Sequence, residues 1–150
     1  MGYKYSPSSR FRSKKPIRSF RDLEVYQRTA EIFVDVMKKI VPLLPEDVPL
    51  KKELVDVSMK IPHYIAEAHS RRFDDKTKAM QLIEEVLFLC NKAMVYIEQV
   101  RDVYSDQLDK VVCNEMIKSY TWARQKIFNL YKAWKRFYTE TEEKNYKNIE

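Results

Sequence analysis

The 150-residue chain has a single glycine, Gly2. Phosphate-cradling loops, dinucleotide fingerprints and tight hairpins need glycine where the backbone turns through positive φ or lies against a phosphate. The commonest nucleotide-enzyme readings are therefore excluded, and long helices are favoured. Cysteine is scarce as well. Cys90 and Cys113 stand far apart with no CxxC, which argues against a zinc or disulfide framework and predicts two buried free thiols in a reducing compartment. The sequence has no charge-free apolar run near the ~18 residues of a membrane span, and its N-terminus lacks the apolar stretch of a secretory signal; no membrane partner is expected.

Histidine is nearly absent. His63 and His69 would lie about 240° apart around a regular helix, too far round to chelate one metal. A di-iron bundle needs Glu-x-x-His on two helices, and Glu67-Ala-His69 has the wrong spacing. His63 and Glu67, four apart, read as a hydrogen-bonded surface pair. No serine or cysteine has a recognisable base near it in sequence. The expectation is a protein without catalytic residues, metal or cofactor.

What is plentiful is charge, unevenly placed. The net charge is +6, and residues 1–19 carry Lys4, Arg10, Arg12, Lys14, Lys15 and Arg18 with no acid. Those six of the 28 basic residues leave 22 against 22 acidic residues in the rest. With Pro7, Pro16 and serines between its charges, the segment has too little apolar content to offset its ordering entropy and is expected to be a mobile arm seeking a polyanion. A second block runs from Ile117 to Tyr138, with Lys118, Arg124, Lys126, Lys132, Lys135 and Arg136 and no carboxylate. Met1-Gly2-Tyr3-Lys4-Tyr5-Ser6 also satisfies the loose myristoylation pattern, so a membrane-peripheral reading stays open; the arginine- and serine-rich, acid-free start is also transit-peptide-like.

Four apolar ladders of alternating three and four predict an all-α, antiparallel up-down-up-down four-helix bundle over residues 20–138. The first helix is expected from about Asp22 to Val41, capped by Ser19 or Asp22 and ended by Pro42 and Pro45, on Leu23, Tyr26, Ala30, Phe33, Met37, Ile40 and Leu44. The second runs from about Pro49 to Arg72 on Leu50, Leu54, Val57, Ile61, Ile65 and Ala68; its ladder passes through Pro62, which reads as a kink within one helix. The third, from about Asp75 to Tyr104, carries two ladders, one through Ala79, Ile83, Val86, Cys90 and Ile97, the other through Leu82, Leu89, Tyr96 and Val103. Together they span an arc of about 200°, more than one bundle needs, so Leu82, Leu89, Tyr96 and Val103, with Phe128 and Tyr131 of the fourth helix, are the expected oligomer interface. The fourth helix is expected from Ser105 or Asp106 to Tyr138, aromatic on one face and positive on the other, with residues 139–150 a frayed tail.

The segments "SFRDLEVYQRTA" (Ser19 to Ala30) and "IPHYIAEAHSRR" (Ile61 to Arg72), with Pro45-Glu46 between the helices that bear them, resemble the two hallmark blocks of the four-helix bundle family of 23S rRNA intervening-sequence proteins. That family includes the accessory variability protein (Avd) of diversity-generating retroelements. The second block matches at Ile61, Pro62, Ile65, Ala66, Glu67, Arg71 and Arg72 and departs at Lys60, His63, Tyr64, Ala68 and Ser70. The ending "FNLYKAWKRF" is closer to the Avd branch. The resemblance implies a cytoplasmic, homopentameric accessory protein that associates with RNA or DNA and with a reverse transcriptase. Residues expected to meet nucleic acid are the six cations of the arm, Arg71, Arg72 and the six cations of the fourth helix; Arg71 and Arg72 also read as cations closing the last turn of the second helix, with Glu67 pairing Arg71 four residues on. The competing expectation is a protein-interaction bundle without a nucleic-acid role.

Overall fold

The computed structural model describes residues 16–149, which are all-helical with no strand among them. Four α-helices are present: α1 Glu24–Asp35, α2 Pro49–Arg71, α3 Lys76–Val103 and α4 Lys110–Lys147. Most of the arm expected at residues 1–19 lies outside the described residues.

Ser19 does cap, but it caps a 3-10 turn, Phe20–Asp22, that leads into α1. Its Oγ accepts from the Arg21 N–H (3.2 Å), while Asp22 Oδ2 accepts from the Ser19 and Arg18 N–H groups (3.2 and 2.9 Å). Leu23, extended and buried, then starts α1 without a side-chain cap. At its far end the chain widens into a π-helical stretch, Val36–Ile40, and tightens into a 3-10 turn, Val41–Leu43, that contains Pro42. A continuing α-helix would drive the Pro42 ring into the Lys38 carbonyl, and the change of winding sits where that clash would fall. The expected helix to Val41 is therefore α-helical only to Asp35.

α2 takes Pro49 in its first turn, where the missing N–H costs nothing, and runs unbroken through Pro62, which is buried. The expected ladder is the observed one: Leu54, Val57, Ile61, Ile65 and Ala68 are all in the core. The Ser58 hydroxyl donates to the Leu54 carbonyl (2.6 Å) one turn before the proline.

α3 begins at the Asp75 cap, whose side chain accepts from the Lys78 N–H. Here the expectation of a spare apolar surface fails in part. Leu82 and Leu89 are buried in the subunit's own core together with Ala79, Ile83, Val86, Cys90 and Ile97. α3 packs against both α2 and α4, its two most extensive neighbours, so a wide apolar arc is used within one subunit. Tyr96 is half-buried against the core, and of that set only Val103, 62% exposed, stays open.

α4 starts later and ends later than expected. Leu108 is buried and its N–H is spent on the Tyr104 carbonyl, so residues 104–108 form a turn and the helix opens at Asp109, which accepts from the Val111 N–H (2.8 Å). Replacing this cap, Asp109→Ala, is expected to lower stability by about 1 kcal/mol, a fall of roughly 2–4 °C in melting midpoint. The helix continues to Lys147, well beyond Tyr138, through a stretch rich in Glu and Lys with good helix propensity. Thr139 and Thr141 return their hydroxyls to the carbonyls four residues back, and Lys76 ties Glu142 at 3.2 Å.

Cross-helix hydrogen bonds link Lys76 to Glu142, Glu84 to Tyr131, Met94 to Thr121 and Arg101 to Asn114. Residue numbers rise on one helix as they fall on the other, so α3 and α4 are antiparallel. Arg28 of α1 lies over the Trp122 ring of α4, and the segment from Lys38 to Leu43 shares a cavity of about 320 Å³ with Leu108 to Cys113. Cys90 and Cys113 are both free and buried, as expected.

Candidate nucleic-acid interface

The cations foreseen as phosphate contacts fall into distinct environments. Lys4, Arg10, Arg12, Lys14 and Lys15 lie outside the described residues. Arg18 is exposed beside the Ser19 cap. Arg71 is already engaged, its Nε donating to Glu67 at 3.0 Å, so Glu67 serves the arginine and the expected pairing of Glu67 with His63 does not form. The charged donor is the stronger partner.

Arg72 caps the end of α2. Its Nη1 donates to the His69 carbonyl (2.6 Å) and lies 3.2 Å from His69 Nδ1, while the guanidinium sits 4.2 Å from the Phe73 ring centre. An arginine has only donors, so Nδ1 must accept. His69 is buried, and burial first, then Arg72, hold its pKa below the usual 6.5, with Asp22 opposing them. The folded state therefore favours the neutral ring, and the unfolded chain binds the proton more readily. Stability from this residue is present above the ordinary histidine pKa and is lost as pH falls through the lowered one. Melting midpoints measured from about pH 7.5 down to about pH 5 are expected to fall, and His69→Asn to flatten that fall.

Along α4 the positive charges are interleaved with rings. Lys126 Nζ lies 5.5 Å from the Trp122 ring centre, Lys132 Nζ 4.8 Å from Phe128 and Lys135 Nζ 5.9 Å from Tyr131. Each pair is separated by four residues, one helical turn. This corrects the expected division into an aromatic face and an opposite cationic face: three aromatic–lysine steps, visible in the sequence as W-x-x-x-K, F-x-x-x-K and Y-x-x-x-K, place each ammonium over a ring. Phe128 and Tyr131 stack on each other with planes 12° apart. The Tyr131 hydroxyl donates to Glu84 (2.8 Å), which fixes the ring and raises its pKa.

No family model, curated protein or solved structure matches this chain. The site therefore stands on its geometry.

Lys126, Lys132, Lys135 and Arg136 are exposed and form no ion pair among the described residues. Lys118, by contrast, lies 3.6 Å from Glu115. Arg124 also departs from expectation: its Nε is buried without a hydrogen-bond partner among the described residues, close enough to Cys90 to oppose the burial that pushes that thiol up to about 12. That nitrogen faces the core. Polarity and spacing alone could not foresee this, because Arg124 lies at the seam where α4 turns toward α3. Arg28 is the cation that sequence reasoning missed. It lies 5.2 Å from the centre of the same Trp122 ring as Lys126, joined only by the packing of α1 on α4, and is itself paired with Glu31 at 3.4 Å.

Among the described residues, no helix is long and apolar enough to cross a membrane, and no three His, Cys, Asp or Glu side chains gather as metal ligands would.

Proposed function

We propose that this chain is a non-catalytic binding protein that holds RNA or DNA along the outer side of α4. One observation carries the reading. From Trp122 to Arg136 four exposed cations stand without carboxylate partners among the described residues while rings lie between them, the combination used by surfaces that track a phosphate backbone. An up-down-up-down order of the helices accounts for the end-to-end contacts and keeps α4 at the molecular surface. The basic arm at residues 1–19 adds further phosphate contacts in this reading, and the free thiols fit a cytoplasmic setting. The resemblance to the Avd branch extends the proposal to an accessory role beside a reverse transcriptase.

Counterion release supplies the test. With about four phosphates neutralised on a single strand, affinity for RNA is expected to drop roughly 50-fold between ~50 and ~200 mM salt. Fluorescence anisotropy with a labelled RNA measures it, and an affinity indifferent to salt overturns the reading.

A second reading concerns self-association. Phe88, Val95 and Val103 leave apolar surface exposed on α3, in place of the buried Leu82 and Leu89, and a homo-oligomer would cover it. The number five comes from the resemblance alone. Light scattering on the purified chain tests it: a monomer at high concentration removes this part of the proposal.

A further inference from the structure

The α4 surface carries more than charge. Phe128 and Tyr131 form a near-parallel ring pair, 6.4 Å between centres. Each presents a face whose present occupant is a flexible lysine, Lys132 or Lys135. Phe128 is 38% exposed, so part of its ring is open to a ligand, whereas Tyr131 is anchored through its hydroxyl to Glu84. Beside them a groove of about 550 Å³ runs between α3 and α4, lined by Met80, Gln81, Glu84, Tyr131 and Lys135.

Resting on the nucleic-acid reading above, we propose that the ligand is single-stranded and that its unpaired bases stack on Phe128 and Tyr131 while Lys132 and Lys135 leave the rings for the neighbouring phosphates. The exchange is favourable on both sides. An exposed ammonium–ring contact is weaker than a base stacked on the same ring, and the released ammonium gains a full negative charge as partner. Lysine has the reach for this, a compact charge on a flexible stem.

Charge sets the orientation. Glu84 and Glu142 line the groove, the first held by Tyr131 and the second by Lys76. They repel phosphates, so the backbone lies on the Lys132 and Arg136 side and the uncharged bases turn toward the groove. Glu140 and Glu143 share a pocket with Lys132, Lys135 and Arg136, three cations facing two carboxylates, whereas the groove has Lys76 and Lys135 beside Glu84 and Glu142, two of each. A duplex cannot use this arrangement: its bases are already stacked on both faces and it offers only phosphates.

The experiment compares three probes of equal length on the full chain by fluorescence anisotropy: an unmodified single strand of thymidylates, the same strand made abasic, and a duplex. The single strand is expected to bind about tenfold or more tighter than the abasic strand, whose phosphates are identical. Phe128→Leu, which keeps an apolar side chain and removes the ring, is expected to cut most of that difference, so that the unmodified and abasic strands bind nearly alike. Equal binding of the unmodified and abasic strands, with steep salt dependence retained, overturns the stacking proposal while the nucleic-acid reading stands. Duplex binding tighter than the single strand overturns it too. No binding of any probe overturns both. The comparison of strands uses the unaltered protein, so it decides the matter even where the leucine variant misfolds.

Discussion

Replacing Lys126, Lys132, Lys135 and Arg136 together with glutamine is expected to weaken RNA binding about 100-fold or more at ~50 mM salt and to flatten the log–log salt slope by about three. Each phosphate neutralised on a single strand contributes about 0.7 to that slope, so removing four phosphate partners at once should be visible as a change of slope as well as of affinity. The fold should survive, because all four side chains are exposed and none is paired with a carboxylate among the described residues. Each lysine gives up an exposed ring contact worth about 0.5–1 kcal/mol, and relief of repulsion between Lys132 and its neighbours Lys135 and Arg136 one turn on returns part of that loss. The control lies elsewhere on the molecule. Arg71→Gln removes a charge already bound to Glu67, and Lys118→Gln one that stands near Glu115. These changes are expected to leave RNA affinity within about twofold, since a cation with an acidic partner has less to offer a phosphate. A uniform loss across all six positions would mean that net charge, not the α4 track, does the binding.

The core was readable in advance in α2, where the heptad ladder matches burial; in α1 the ladder was misplaced between its ends, since Val25, Thr29, Ile32 and Val36 are buried while Tyr26, Ala30 and Phe33 are only half-buried and Met37 is exposed. Leu54, Val57, Ile61, Ile65 and Ala68 sit where the period put them, and the helix passes through Pro62 because the apolar positions on either side of it stay in phase. The same logic could not assign the second ladder of α3. A wide apolar arc is identical in sequence whether its outer part meets another subunit or a second helix of the same chain, and for Leu82 and Leu89 it meets the same chain. The late start of α4 was hidden for a related reason. Ser105, Asp106 and Asp109 are all acceptable caps, and the choice falls to the burial of Leu108, a tertiary fact. The helix beyond Tyr138 lacks an apolar ladder and owes its form to propensity and to the Lys76–Glu142 pair. In the candidate site the signal was present but sorted by the wrong property. Grouping residues by polarity separates rings from cations, whereas the spacing of four that puts Lys132 on Phe128 and Lys135 on Tyr131 joins them.

The largest expected effect on stability comes from Tyr120, the bulkiest fully buried side chain, and it depends on which part of that side chain is removed. Tyr120→Ala takes the whole ring from the buried face of α4 and is expected to cost about 3–5 kcal/mol, lowering the melting midpoint by roughly 10 °C. The hydroxyl behaves differently. It is buried without a hydrogen-bond partner among the described residues, near the Cys90 thiol, and burial pushes its pKa up. An unpartnered buried hydroxyl carries a desolvation cost of about 1–3 kcal/mol that phenylalanine does not. Tyr120→Phe is therefore expected to be at least as stable as the parent and up to about 1 kcal/mol more so, read as a rise in urea midpoint at unchanged slope. A loss of stability on Tyr120→Phe would assign the hydroxyl a hydrogen bond and make the Cys90–Tyr120–Arg124 group a polar network that orients α4. In that case Tyr120→Phe should also weaken RNA binding, because rotating α4 by a few degrees moves Phe128, Tyr131, Lys132 and Lys135 together. Retained stability with unchanged RNA affinity leaves the rotation of α4 to apolar packing alone, through Ala123 and Ile127 on the same buried face.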